Sequence, residues 1–392
     1  MSPAGRAAVH HRRRLRSAAR HAGGEFPGVD SLRTGGGMLT SHERVARVFA
    51  RRDHDRVPRF DQIWPETLER WRAEGMNGDP ATVFDWDIVW VGWVAPAPFP
   101  GRSEVLREDA ETRDTINEWG AKVRVWKNRS GTPEHLGWAC TDVKTWREAF
   151  RPKLSSERWT ADLKAWRQTF DAARAARKWT VLCGIQSYEA IKAMLGDEAM
   201  MLAFASEPEW IQDMSRRYTD VLLEVYERIF HYGIRPDAIW MFEDLAYSHG
   251  PLCSPQMYRH LVWPDHKRVC DFAHAHGMKF IFHTDGDINS YMDLFLEAGF
   301  DCLQPLEAKA RVDIRQLAPR YGKKIAFFGN IDMMVAITND KQKVEEEVRS
   351  KLAAGMATKG YLYHSDHSVP PQVSWETYRW LMECVEKYGR YA

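Results

Sequence analysis

Met278-Lys279-Phe280-Ile281-Phe282-His283-Thr284-Asp285-Gly286-Asp287 decides the reading of this chain: an apolar run stops, and a histidine and two carboxylates follow it at once. A buried parallel strand that gives way to polar groups at its C-terminal end is where barrel enzymes carry their chemistry. Alternate residues of an extended segment point the same way, so His283 and Asp285 can reach one ligand from a single strand end. The pattern recurs. Glu307 follows Asp301-Cys302-Leu303-Gln304-Pro305-Leu306, and His364-Ser365-Asp366-His367 follows Gly360-Tyr361-Leu362-Tyr363.

Outward from this stretch, apolar runs alternate with helical periodicity. Strands are expected at 179–185, 237–242, 278–283, 301–306, 324–329 and 360–364, and helices at 187–232, 254–276, 288–298, 311–320, 341–357 and 372–388. A further strand is read at Val57, and another is expected inside residues 84–96. Alternating strands and helices imply parallel βαβ units. Without a GxGxxG fingerprint, six to eight of them favour a single-domain α/β fold, a (β/α)8 TIM barrel, over a doubly wound sheet. Thr40-Ser41-His42-Glu43 has the form of a capping box that opens the first helix. Residues 103–128 alternate around Trp119-Gly120, which predicts a β-hairpin insertion over one face.

With 392 residues and 44% hydrophobic content the chain can bury a large core. No apolar run approaches the roughly 20 residues that span a bilayer, so a soluble, cytoplasmic protein is expected, without membrane or nucleic-acid partners. The six cysteines include no CxxC pair, which excludes a zinc knuckle or redox dithiol and fits reduced core thiols. Seven arginines and two acids fall within residues 1–37, which also carry Gly35-Gly36-Gly37. This Arg/Gly-rich N-terminal extension is expected to be disordered, with the barrel domain over 38–392. A transit peptide, a nucleic-acid arm and a start codon misassigned upstream of Met38 all fit such a leader.

The strand ends present, in order, Asp61; Gln186 with Tyr188; Glu243 with Asp244; His283 with Asp285; Gln304 with Glu307; Asn330 with Asp332; and Asp366 with His367. In a barrel these converge. An Asp or Asn just after a strand is also a common helix N-cap, an alternative that applies to Asp287, Asn330 and Asp332. His283 and His367 stand out because each shares a strand end with a carboxylate, unlike His249 and His364. Trp86, Trp90 and Trp93 either line an apolar substrate wall or simply pack in the core.

Val57-Pro58, Ser254-Pro255-Gln256-Met257-Tyr258, the His283-Thr284-Asp285-Gly286-Asp287 segment, Gln304-Pro305-Leu306-Glu307, Gly329-Asn330-Ile331-Asp332 and Ser365-Asp366-His367-Ser368-Val369-Pro370-Pro371 resemble, in order and spacing, the uroporphyrinogen decarboxylase superfamily. The resemblance runs from about Met38 to Tyr391. It implies a (β/α)8 barrel and one of two activities: cofactor-free decarboxylation of uroporphyrinogen, or zinc-dependent methyl transfer between corrinoids and thiols or pterins.

Departures from the family pattern choose between these. The decarboxylases carry paired arginines after the first strand, where this chain reads Phe60-Asp61-Gln62-Ile63-Trp64-Pro65, and Asp87 matches their pyrrole-binding aspartate only loosely. A mouth ringed by Asp61, Glu243, Asp244, Asp285, Glu307 and Asp366 repels a substrate with many carboxylates. The methyltransferases resemble this chain in presenting His-x-Cys, a Glu and a later Cys as zinc ligands. His283, Asp285, Glu307, and Asp366 or His367 occupy those places, and both thiolates are replaced. The resemblance thus implies a divalent metal on His283, Asp285, Glu307, His367 and Asp366, zinc first, with Fe²⁺ or Mn²⁺ equally suited to a harder N/O set.

The expected function is metal-dependent methyl transfer from a methylated donor or corrinoid protein to a small acceptor. Glu243, Asp244 and Tyr188 are the catalytic candidates, and Asp61, Asp87, Gln186, Gln304, Asn330, Asp332 and Trp86 the substrate-binding ones. No DxHxxG corrinoid motif is present, so a corrinoid would arrive on a separate partner protein. A homodimer stays open. The alternatives are a decarboxylase acting on another carboxylic acid and a non-catalytic ligand-binding barrel.

Overall fold

The computed structural model describes residues 38–128 and 132–391. The N-terminal extension expected to be disordered, residues 1–37, lies outside the described residues. The first described helix, Ser41–Phe49, opens on Thr40: its hydroxyl accepts the Glu43 N–H while its own N–H donates to the Glu43 carboxylate. Val45, Val48 and Phe49 turn inward from this helix.

The strands are β1 (Ile88–Val94), β2 (Ser103–Glu108), β3 (Thr112–Asn117), β4 (Ala121–Trp126), β5 (Glu134–Trp138), β6 (Trp179–Ile185), β7 (Ala238–Phe242), β8 (Ala246–Tyr247), β9 (Gly250–Pro251), β10 (Lys279–His283), β11 (Cys302–Gln304), β12 (Ala326–Phe328) and β13 (Tyr361–Leu362). Seven of them form a curled parallel sheet in the order β1-β6-β7-β10-β11-β12-β13. Their near-continuous apolar sequences follow from burial on both faces: every residue of β6 and of β7 is buried. The strand sought within 84–96 is β1. The segment read as a strand at Val57 joins the sheet through hydrogen bonds at both edges. Pro58 O accepts Tyr363 N–H at 2.9 Å, and Arg59 O accepts Asp87 N–H at 2.8 Å.

Two details differ from the sequence reading. The expected hairpin is a four-stranded antiparallel sheet, β2-β3-β4-β5. The outer strands Ser103–Glu108 and Glu134–Trp138 flank the pair seen in the sequence, and β2 is exposed along its whole length, which removes the apolar alternation that marks a strand. The helix expected at 254–276 is two helices, Pro255–Leu261 and Trp263–Ala275, with Pro264 at the start of the second.

The interior of the parallel sheet is filled by rings. Trp240 meets Trp90 at 5.4 Å, Phe242 at 5.5 Å, Phe328 at 5.2 Å and Phe60 at 5.7 Å between centroids. Phe242 in turn lies 4.3 Å from the His283 ring. The aromatic packing therefore forms a floor directly beneath the polar strand ends. All six cysteines are buried and unpaired. Among the described residues no helix is long and apolar enough to cross a membrane.

Candidate active site

His283 closes β10 and Asp244 lies two residues beyond β7, its neighbour in the sheet. Side chains of aligned residues in adjacent parallel strands share a face, so His283 stands beside Phe242 on the interior side. Its Nε2 lies 3.4 Å from Asp244 Oδ1 and 3.8 Å from Asp285 Oδ1. Ligand atoms of Asp244, His283 and Asp285 all fall within 4.8 Å of one another. His367 Nε2 stands 3.9 Å from the other Asp285 oxygen. On the far side of the ring, His283 Nδ1 makes a 2.6 Å hydrogen bond with Gln304 Oε1.

Burial and charge work against each other here. Burial disfavours the imidazolium, but Asp285 and Asp244 outweigh it and raise His283 to about 9. Burial pushes Asp285 up to about 6, against the attraction of His283. Asp244 also feels the burial, yet its hydrogen bond to His283 holds it below the usual carboxylate range. Asp285 Oδ1 is buried with no hydrogen-bond partner. The group is thus two carboxylates and an imidazole that call for a cation between them, a proton or a metal.

Gly286 sets the turn that presents Asp285. Its φ is +87°, and a Cβ there would lie 2.3 Å from the Ala246 carbonyl carbon. Its N–H donates to Glu307 Oε2 at 2.7 Å, and the other Glu307 oxygen pairs with Lys309 at 2.9 Å. Glu307, expected as a ligand, therefore serves here as the acceptor that fixes the Gly286 turn. Asp366, also expected as a ligand, accepts N–H groups from Ala308 at 3.0 Å and Met333 at 2.9 Å, tying together the loops after β11 and β12. Burial raises its carboxyl to about 7. Asp244, a catalytic candidate in the sequence, stands beside His283 and Asp285.

Glu243, its chain neighbour, faces the other way. Its carboxylate is fully buried and accepts the N–H groups of Gln186 at 2.5 Å, Tyr188 at 2.8 Å and Glu189 at 3.4 Å, at the start of helix Ser187–Leu195. It also pairs with His266 at 2.9 Å, whose other nitrogen bonds Tyr258. This is the arrangement of an anion that caps a helix N-terminus. Tyr188 contributes its N–H to that cap and packs its ring on Phe204 at 5.9 Å. Gln186 is fully buried, with its side-chain amide unpartnered among the described residues.

Five other expected site residues are placed outside the Asp244, His283 and Asp285 group. Asp87 immediately precedes β1, hence lies at the N-terminal end of a parallel sheet whose candidate site is at the C-terminal end. Arg44 and Arg56 hold it at 2.6 and 2.7 Å, and Trp86 shares that end. Asn330, at φ +81°, spends its amide on Leu306 O and Val312 O. Asp332 caps helix Met333–Ala336. Asp61 is buried, with hydroxyls of Tyr363 at 3.0 Å, Tyr378 at 2.8 Å and Ser365 donating to it.

The sequence reading passed over Glu189 and Lys192 and set His364 below His283 and His367. Glu189 and Lys192, three residues apart on the helix after β6, pair with each other, and Glu189 accepts the Asp244 N–H at 3.4 Å. Burial raises Glu189 to about 7, against the pull of Lys192. Their spacing was visible, but nothing in it marked them apart from a solvated helical pair. His364, fully buried, has Nε2 3.4 Å from Gln304 Nε2.

An α/β chain with a curled parallel sheet and its polar constellation at the C-terminal strand ends defines the class. Residues 179–388 match the family described as Uroporphyrinogen decarboxylase (URO-D), and the chain belongs to that family. A uroporphyrinogen decarboxylase of Vesicomyosocius okutanii subsp. Calyptogena okutanii (strain HA) is 28% identical over 79 residues, which cover 20% of this chain and 23% of that protein. The match thus spans less than a quarter of that relative. Among solved structures, a methyltransferase from Methanosarcina mazei superposes with a TM-score of 0.60 at 13% identity, covering 89% of this chain and 99% of the other. At that identity the likeness shows a shared fold.

Proposed function

We propose that this chain is a metal-dependent methyltransferase of the URO-D family, moving a methyl group from a methylated donor or a corrinoid protein to a small acceptor. The observation that carries the proposal is the Asp244, His283 and Asp285 group, within 4.8 Å, with Asp285 Oδ1 buried and unpartnered. A buried carboxylate oxygen without a donor is costly, and a cation relieves it. One imidazole and two carboxylates suit Zn²⁺ in an open site and equally Fe²⁺ or Mn²⁺. Once bound, such a cation supplies Lewis acidity that lowers the pKa of a coordinated thiol, hydroxyl or water. His367 flanks the position and the Phe242 ring packs against His283 at 4.3 Å. Glu189, paired with Lys192, accepts the Asp244 N–H and is a candidate proton-handling group beside it.

Methyl transfer is favoured over tetrapyrrole decarboxylation because none of the ion pairs of Asp244, Asp285 and Glu307 among the described residues involves an arginine. Arg59 is instead paired with Glu386. The Methanosarcina mazei protein, described as a methyltransferase, supports the same branch. A carboxy-lyase for a different acid is the second reading, supported by Lys309 beside Glu307 and by the likeness to a named decarboxylase. The proposal includes the closed barrel: residues 58–60, bonded to both sheet edges, are its eighth strand. Any corrinoid would be carried by a separate protein.

Metal analysis by plasma mass spectrometry on the purified protein, beside His283→Ala and Asp285→Asn, tests this. Near-stoichiometric Zn, Fe or Mn that is lost in both variants supports the proposal and directs a screen of methyl donors. A folded wild type that neither retains nor takes up these metals overturns it.

A further inference from the structure

A chain of polar contacts runs from the floor of the sheet to the candidate metal group. His364 Nδ1 lies 2.5 Å from Ser365 O, and its Nε2 lies 3.4 Å from Gln304 Nε2; Gln304 Oε1 lies 2.6 Å from His283 Nδ1. Each link fixes the next. A carbonyl only accepts, so His364 carries its proton on Nδ1. An amide nitrogen only donates, so His364 Nε2 presents a lone pair to Gln304. Gln304 Oε1 then accepts, and His283 Nδ1 must be N–H. The reversed amide would require a second proton on His364, which is fully buried with Phe60, Phe328 and Trp240 rings 6.0, 5.2 and 6.4 Å away.

We propose that Gln304 and His364 are positioning residues that lock His283 in its Nδ1–H tautomer, so that Nε2 alone faces Asp244 and Asp285. The inference rests on the metal-site reading above for its functional meaning. Neither residue touches the position between the carboxylates. Both act through His283, as a hydrogen-bond partner on the far nitrogen orients a ligand imidazole and raises its basicity. Asp61 anchors the far end: Ser365 donates to it from both backbone and hydroxyl, and His364 Nδ1 is 3.7 Å away.

The test compares wild type, Gln304→Leu, Gln304→Glu and His364→Phe. Two readouts are used: Zn²⁺ and Co²⁺ affinity by chelator competition, and imidazole ¹⁵N signals of histidine-labelled, metal-free protein on the alkaline side of the His283 titration, where the ring is neutral, with His283 identified by its loss in His283→Gln. Gln304→Leu is expected to weaken metal binding by about 10- to 100-fold and to lose the single His283 tautomer. Gln304→Glu, which keeps an acceptor for Nδ1–H, is expected to restore most of the affinity. His364→Phe fits the aromatic nest and tests the relay should Gln304→Leu fail to fold; it is expected to weaken binding in the same direction. Unchanged affinity and tautomer in the folded variants overturn the inference while leaving the metal site standing. A wild type that binds neither ion overturns the metal reading instead. The imidazole signals of the neutral ring then decide this inference alone: a single Nδ1–H form that is lost in the variants upholds it, and an Nε2–H form or a mixture of the two in all proteins overturns it.

Discussion

Glu243→Gln separates a structural anion from a catalytic base. One Glu243 oxygen accepts Gln186 and Glu189 N–H groups, and the other accepts Tyr188 N–H and faces His266. A glutamine amide must turn its NH₂ toward one of these pairs, setting donor against donor and leaving at least one buried N–H unsatisfied, a loss of about 1–3 kcal/mol. It also removes the charge that His266 and the helix N-terminus face, and removing one partner of a buried pair costs about 3–5 kcal/mol. The two overlap, so about 4 kcal/mol is expected for the whole change. Urea unfolding followed by circular dichroism reads this as a midpoint lower by roughly 1 M or more, for a slope near 3 kcal/mol/M. At low urea, where the variant stays folded, its metal content should match wild type, because the carboxylate does not face His283. An unfolding curve equal to wild type together with abolished turnover would refute the assignment and return Glu243 to the reacting centre.

Gly286→Ala should abolish metal binding in a protein that still folds, since a Cβ 2.3 Å from the Ala246 backbone forces the Asp285 turn to move; chelator competition checks it. His367→Ala, 3.9 Å from Asp285, should weaken metal affinity without abolishing it, whereas His283→Ala should abolish it, as measured on the two variants side by side. The metal-free protein should be pH-sensitive. His283 is raised to about 9 in the folded state, so its stabilising proton is fully held below its ordinary value of 6.5 and lost as pH rises through 9. The loss, shared with its two carboxylate partners, is about 3 kcal/mol across that window. Urea midpoints measured from pH 6 to pH 9.5 should fall in the metal-free protein, and a saturating divalent metal, which displaces that proton, should flatten the curve. Equal slopes with and without metal would contradict a metal at His283.

The elements that could be read from the chain were those with a period. Parallel strands buried on both faces leave unbroken apolar runs, so β6, β7, β10 and β12 announce themselves, and a polar residue at the end of each run marks the C-terminal edge. His283-x-Asp285 followed from the same rule. Which member of Glu243-Asp244 turns inward did not: it depends on where β7 ends and on the helix N-terminus waiting outside the sheet, which are tertiary facts. Asp87 was misplaced for a related reason. Its strand was known only to lie somewhere in 84–96, and a carboxylate at the wrong end of a strand has the same sequence as one at the right end. Glu307 and Asp366 were drawn to the site by their strand-end positions and the family resemblance, while the donors that occupy them, Gly286, Ala308 and Met333, are backbone N–H groups that no side-chain pattern reveals.

In the proposed metal site the carboxylates carry the same charge that thiolates would. Asp244, Asp285 and a neutral His283 carry two negative charges in a buried group, so a divalent ion makes the centre neutral. Without it the same group must borrow protons, which is the physical content of a raised His283 and a raised Asp285 side by side. In the proposed metal site, proton and metal would therefore compete for His283 Nε2, because Nδ1 is held by the Gln304 contact. The floor beneath, Phe242 and the rings packed on it, offers no polar alternative. If the proposed metal is bound, its selectivity would come from charge and ligand hardness rather than from sulfur affinity, favouring ions such as Zn²⁺, Fe²⁺ and Mn²⁺ over softer ones.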